Sequence, residues 1–356
     1  MPKTQFIADF AVGDTVATLF LIAAAQQGQA KNGPFWKLVL QDSSGGLEAK
    51  IWSPQCQMYP ALAAGDIVSV DGRVSMYRDK LEVAVDRLRV LPPEEKSSLD
   101  LTLFMPASDR PPAELLAELN ALCKTNFTHG PWKKLIKSIL AAPEVTEHIL
   151  TAPAAKVMHH AYAGGLVEHT LGVAKTCMAF ADLYPDLDRE VLLAGAVCHD
   201  LGKLWELTQG LATDYTGQGR LMGHIQLIMD FIDPLIHKAG LEDHLALHLK
   251  HLILSHHGQY DYGSPRLPST AEAFALHYAD NLDAKLNQVW AALSNVPEGE
   301  SGWSQYLPGL ERSVFKPLPT PVTIGDDKKT AKRRARQIPP HDDSQEMPGQ
   351  LSLLGE

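Results

Sequence analysis

Nothing in this chain reaches the ~20 consecutive apolar residues needed to span a bilayer. The run Val16–Ala25 (VATLFLIAAA) stops well short of that. Asp9 and Asp14 precede it, which is the wrong charge for a signal peptide. It is expected to be a buried strand, and no membrane partner is expected. Basic excess is also missing: 32 Lys and Arg against 42 Asp and Glu leave a formal charge of −10. That excludes coating nucleic acid by bulk attraction and leaves only local contact. Cysteine is scarce. Cys56, Cys123, Cys177 and Cys198 form no CxxC pair and no framework spacing, so reduced thiols in a cytoplasmic protein are expected. There is no internal repeat. What remains is a 356-residue chain, 45% hydrophobic and 21% charged, long enough for two or three soluble domains.

Residues 1–91 read as β. Asp14–Ala25, Phe35–Gln41, Leu47–Trp52, Ile67–Met76 and Leu81–Val90 are rich in Val, Leu, Ile and aromatics. Lys31–Pro34, Asp42–Gly46, Gly65-Asp66 and Arg78–Lys80 punctuate them. Pro54–Ala64 reads as a short helix between the third and fourth strands. Five strands with a helix at that place is the order of an OB-fold barrel, and FWKLVLQDSSGGLEAKIW resembles the second and third strands of nucleic-acid-binding OB domains. On the functional reading, Trp36, Trp52 or Tyr77 stacks bases, while Lys37, Lys50, Arg73, Arg78 and Lys80 meet phosphates. The plainer reading of any one of these aromatics is a core residue, and the interleaved acids leave no basic stripe.

Residues 92–111, which follow from the Pro- and charge-rich Leu91–Asp100 (LPPEEKSSLD), read as a linker. From Pro112 to 316 the period is helical. Helices are expected over Ala113–Cys123, Trp132–Ala141, a short turn at Pro143, Leu166–Ala181, Asp188–His199, Met222–Ile232, Glu242–Ser255 and Ala271–Leu293. From 317 to 356 the chain reads as a flexible basic tail, with Lys328, Lys329, Lys332, Arg333, Arg334 and Arg336 close together. The class is therefore multidomain α+β: a five-stranded barrel, an all-α bundle and a disordered tail.

The bundle carries the chemistry. The apolar run AGAVCHDLGK ends in adjacent His199 and Asp200. Around it stand His169, His224, His256, His257 and Asp280, with successive partners 24 to 32 residues apart. Each gap suits a helix, a loop and a return, so a bundle can bring these side chains to one depth. Imidazoles and carboxylates are the ligands of divalent Mn, Fe, Co, Ni or Zn. Asp200 follows His199 directly and is the natural bridge between two ions. Lys203, one turn beyond, can donate to a phosphate oxygen as charge builds. Any one of these histidines alone is more plainly a core or surface residue, and the chain has others to spare. The joint pattern is what points to metal.

The words HHAYAGGLVEHTL, AVCHDLGK, LILSHHGQYDYGSP and LHYADNLDAK, joined to an N-terminal OB-fold, resemble the HD-superfamily phosphohydrolases of the YhaM exoribonuclease type over roughly residues 10–295. The resemblance implies an HD domain with its core over 155–295 and two divalent ions, Mn²⁺ foremost. One ion takes His169, His199, Asp200 and Asp280; the other shares Asp200 and takes His224 with His256, His257 or both. A water between them attacks phosphorus, Lys203 stabilises the developing charge, and the substrate is single-stranded RNA, with DNA a second candidate. His160 and Arg266 join the candidate substrate contacts. Relatives that cleave cyclic-di-GMP carry GYP where this chain has Gly263-Ser264-Pro265, which counts against that substrate. Gly165, four before His169, is not an acid, so no third metal is expected. Two alternatives stay open: a phosphohydrolase of small nucleotides or cyclic dinucleotides, and a non-catalytic nucleic-acid scaffold. Finally, Gln350–Leu354 (QLSLL) resembles the short peptide by which bacterial replication and repair proteins dock into the sliding clamp.

Overall fold

The computed structural model describes residues 3–320 apart from 32, 78–79, 97–98, 101–102, 106–107, 109, 157–159, 209–212, 295 and 298. Arg78, most of the expected tail and the peptide Gln350–Leu354 lie outside the described residues. The N-terminal strands are β1 (Thr15–Ala30), β2 (Gly33–Asp42), β3 (Gly45–Trp52), β4 (Ile67–Tyr77) and β5 (Lys80–Val90). They close a barrel in the order β1-β2-β3-β5-β4, antiparallel except for the β3–β5 closure. Alternation explains the fold. In β2, Trp36, Leu38 and Leu40 point inward and Phe35, Lys37 and Val39 point away, so one face supplies the core with Phe20, Ile51, Val70 and Val83. β1 runs five residues beyond the expected Ala25, because Gln26–Ala30 pair with Gly33–Lys37 in a hairpin arm. The helix expected over Pro54–Ala64 is only a 3-10 turn, Gln55–Met58. Pro60 denies that stretch a backbone donor.

The expected linker is packed rather than free. Phe104 is fully buried against Leu19, Leu21, Ile67 and Leu91, and the Ser43 amide donates to the Leu103 carbonyl at 3.0 Å. Among the described residues seven longer helices follow: α1 (Pro112–Asn126), α2 (Gly130–Leu140), α3 (Gly165–Leu183), α4 (Arg189–Cys198), α5 (Gly217–Ala239), α6 (Asp243–Ser255) and α7 (Ala271–Leu293). One apolar core runs through all of them. α4 is central, buried along its length from Val191 to Cys198. Its start is fixed by the Asp188 carboxylate, which accepts from the Glu190 and Val191 amides. Two short strands, β6 (Gly302–Trp303) and β7 (Phe315–Lys316), pair after α7. Among the described residues no helix is long and apolar enough to cross a membrane.

Candidate active site

α4 ends where it must deliver chemistry. His199 and Asp200 follow it directly, both buried. The chain then turns at Gly202 into a single helical turn, Lys203–Glu206. A Cβ on Gly202 would sit 1.9 Å from the His224 carbonyl oxygen, so only glycine lets the two backbones meet here. α5 is broken at Gly223 (φ 72°), the residue before His224. α3 brings His169 to the same depth, α6 ends at Ser255 just before His256 and His257, and α7 supplies Asp280.

Asp200 stands between two groups. Its Oδ2 is 3.3 Å from His169 Nε2, 3.6 Å from His199 Nε2 and 2.6 Å from Lys203 Nζ. Asp280 Oδ1 closes that side, 3.2 Å from His169 Nε2. Asp200 Oδ1 faces the other way, 3.5 Å from His224 Nε2 and 3.7 Å from His256 Nε2. His257 completes a histidine triplet there, its ring 4.2 Å from that of His256 and 5.1 Å from that of His224.

Four of the histidines are held from behind. His199 Nδ1 donates to the Ala196 carbonyl (2.9 Å) and His256 Nδ1 to the Ile253 carbonyl (2.7 Å). His169 Nδ1 donates to Asp283 Oδ2 (2.7 Å), and His224 Nδ1 to Glu206 Oε1 (3.2 Å). With Nδ1 engaged behind, each Nε2 faces inward, the arrangement that metal-binding histidines use. Asp200 Oδ1, His224 Nε2, His256 Nε2 and His257 Nδ1 are buried and make no hydrogen bond. Leaving such groups unanswered costs about 1–3 kcal/mol each. A divalent cation would answer them, and an N/O donor set suits one.

Charge follows the same geometry. Burial alone would strip the proton from His169, but Asp200, Asp280 and Asp283 reverse this and hold its pKa well above the usual value. Burial lowers His199 to about 4 against the pull of Asp200 and Asp280. Burial, then His256, lowers His257 to about 3. Burial opposes the charge on Asp200, yet Lys203 and His199 hold its carboxyl well below the ordinary range. Lys203 stays charged for the converse reason: burial opposes it and Asp200 prevails.

The structure thus brings together His169, His199, Asp200, Lys203, His224, His256, His257 and Asp280. Three other expected contacts sit elsewhere. Trp36 is 7% exposed, and its Nε1 donates to the Tyr59 carbonyl. It is a barrel-core residue rather than a stacking platform, because β2 alternation turns it inward. His160 is buried behind the ligands, its Nε2 2.9 Å from Asp283 Oδ2 and its Nδ1 2.7 Å from the Tyr162 hydroxyl; it supports His169 through Asp283 instead of facing substrate. Arg266 is exposed on the loop after α6, with its amide on the Leu254 carbonyl, and it lines neither cavity beside the ligands. On the barrel, Trp52 (47% exposed) and Tyr77 (51%) are accessible. Phe35 packs on Trp52 at 5.0 Å between ring centroids, and Lys50 lies over the Tyr77 ring. Lys37 and Lys50 pair with Glu48 and Glu82. Sequence reasoning missed Glu206 and Asp283. The spacing of Asp283, one turn after Asp280 on α7, was the available signal.

Comparisons with known proteins agree with this division. The HD domain family matches residues 166–285, and an OB-fold nucleic acid binding domain matches residues 22–91. The 3'-5' exoribonuclease YhaM of Bacillus velezensis is 36% identical over 311 residues, 86% of this chain and 96% of its own length. That of Bacillus subtilis is 36% identical over 309 residues with the same coverage. A domain of replication protein A from Methanococcus maripaludis overlays on 24% of this chain and 93% of its own, at 19% identity and a TM-score of 0.22, too low to add to the argument. With the HD ligands in place behind a closed barrel, and with likeness along most of its length, the chain belongs to the YhaM exoribonuclease family.

Proposed function

We propose that this chain is a metal-dependent 3′→5′ exonuclease that shortens single-stranded RNA to 5′-mononucleotides, with DNA as a second substrate. One observation carries the reading: three buried imidazole nitrogens without hydrogen bonds, on His224, His256 and His257, gather on the side of an equally unanswered Asp200 Oδ1, while Asp200 Oδ2 faces His169 and His199. Two ions fit that set. His169, His199, Asp200 and Asp280 hold one; Asp200, His224, His256 and His257 hold the other. Mn²⁺ is the ion proposed first, and Fe, Co, Ni or Zn suit the same donors. When bound, such ions supply Lewis acidity toward phosphoryl oxygens and a nucleophile at neutral pH.

The chain's own residues do the rest. Asp283 and Glu206 hold His169 and His224 in one tautomer and one orientation. Lys203, kept cationic by Asp200, stands beside the ligands as a donor to a phosphate oxygen. Hydrolysis adds water across one P–O bond. The water oxygen joins phosphorus, the bond to the upstream 3′-oxygen breaks, and that oxygen takes a proton. The phosphate leaves on the released nucleotide. Trp52 and Tyr77, with Phe35 behind Trp52, offer ring faces to the strand before it reaches the bundle. Four free, buried thiols fit a reducing cytoplasm. Gln350–Leu354 would add the sliding clamp as a partner.

The test is a 5′-labelled oligoribonucleotide incubated with Mn²⁺. A ladder that shortens from the 3′ end supports the reading. Intact oligomer with phosphate released from mononucleotides would favour a small-substrate phosphohydrolase, and binding without turnover would favour a scaffold.

A further inference from the structure

The ligand cluster does not sit at the bottom of a single cleft. Two cavities open beside it, of about 420 and 370 Å³, and they share two side chains, Lys203 and His257. Each is the size of a pocket for one small ligand, which is the scale of one nucleotide and not of a strand. Their linings differ. The larger is built on one stripe of α7, where Asn281, Ala284 and Gln288 follow one another a turn apart. Tyr262, 59% exposed, and Lys285 also line it, and the C-terminal end of the described chain reaches it at Gly309. That end is a tethered piece of chain: Leu307 and Arg312 bridge around it, and Lys316 Nζ donates to the Val296 carbonyl at 2.6 Å. The smaller cavity is lined by Lys156 and Tyr215, both open to solvent, with Lys156 paired to Asp214 at 2.8 Å.

A strand cut one residue from its end needs such a pair of sites. The terminal nucleotide carries free hydroxyls and no further phosphate, so it suits a pocket walled by amide side chains that both donate and accept, as Asn281 and Gln288 do. The next nucleotide continues into the strand, so it suits a pocket with a cation for its phosphate and a ring for its base, as Lys156 and Tyr215 offer. We propose that the 3′-terminal nucleotide occupies the α7 cavity, read by Tyr262, Asn281 and Gln288. The penultimate nucleotide then occupies the Lys156–Tyr215 cavity, and the phosphate between them lies at the shared edge formed by Lys203 and His257. This rests on the exonuclease reading and adds to it where each nucleotide goes and which residues select it.

The experiment uses the Mn²⁺-loaded full-length protein and two probes. The first is 5′-AMP, the form in which the terminal nucleotide is released, with binding measured by calorimetry. The second is an oligoadenylate, with KM measured. Ala284→Phe fills the α7 cavity and should weaken 5′-AMP by roughly ten-fold, with Gln288→Leu, a volume-conserving change, moving it the same way. Tyr215→Ala should leave 5′-AMP binding in place and raise KM for the oligomer by roughly ten-fold. If Tyr215→Ala weakens 5′-AMP while Ala284→Phe and Gln288→Leu do not, the assignment is reversed and the proposal falls. If none of the three moves 5′-AMP, or the wild-type protein does not bind it, the proposal also falls. Wild-type turnover of bis(4-nitrophenyl) phosphate, which has no nucleoside, reads the underlying hydrolase separately. Its absence beside the expected 5′-AMP pattern would sink the exonuclease reading and leave the nucleotide pocket standing.

Discussion

On one side of Asp200, His169 is met by three carboxylates, and nearly every donor there has an answering acceptor within the protein. On the other side, His224, His256 and His257 pack ring against ring, with inward nitrogens that nothing in the chain answers. The acid-rich half is close to self-satisfying, so it keeps its shape without help. The imidazole-rich half is shaped just as firmly from behind but carries an unmet desolvation cost. The difference suggests unequal metal preference: oxygen-rich sites suit Mn²⁺, and nitrogen-rich ones suit Fe, Co, Ni or Zn. Asp200 faces both, through Oδ2 and Oδ1.

Breaking Asp200 should therefore have the largest effect. Asp200→Asn is expected to lower turnover on the order of 10³-fold or more and to remove metal from both halves, with oligomer binding by the barrel kept. Metal analysis beside a binding assay checks this, and full activity would end its role as the bridge. Next, His169→Ala and His256→Ala strike one half each. Each is expected to cost at least about 100-fold in turnover while sparing one ion of the two. If either variant loses both ions, the halves are one unit and the contrast between them collapses. Glu206→Gln and Asp283→Asn remove the negative charge behind His224 and His169, and each should weaken metal by roughly 10–100-fold in a competition titration, again on its own side.

A smaller effect separates the halves by acid. Burial would raise the Asp283 pKa, but His160 and His169 overcome it and bring it to about 2 from an ordinary 3.8. A depressed carboxyl contributes stability that is present above the unfolded pKa and lost as pH falls toward the folded one. The share is about 2 kcal/mol. Urea melts of chelated protein between about pH 4 and pH 2 should show this loss, and Asp283→Asn should flatten it. The smallest effect on catalysis belongs to the tail. Deleting Gln350–Glu356 should leave the RNA ladder unchanged and abolish sliding-clamp pull-down; persistent pull-down would remove the clamp from the account.

The candidate ligands were legible because metal chemistry restricts residue type so sharply. Seven His and Asp residues at helix-and-return spacings point jointly to one site, and the fold brings all seven together. The five strands were legible from alternation and turn residues. What escaped was set by tertiary context. Glu206 and Asp283 are two carboxylates among many, and only the fold shows which imidazole each one backs. His160 resembles a substrate contact in the sequence because it neighbours the GGLVEHT word, yet packing turns it behind His169. Trp36 and Trp52 are equally aromatic in the sequence, and only barrel closure makes one core and leaves the other exposed. Gln26–Ala30 are too polar to announce a strand, but the hairpin register enlists them.

Gly202 has a consequence for how the enzyme is made ready. Its backbone contact with His224, beside the Glu206–His224 hydrogen bonds, ties Asp200, Lys203 and Glu206 to the middle of α5, so the cation need not assemble its own cage. Chelated protein should therefore persist as a dormant, folded reserve, and reactivation should proceed at the pace of ion uptake instead of refolding. Metal supply could then set how much enzyme is active without changing how much is present.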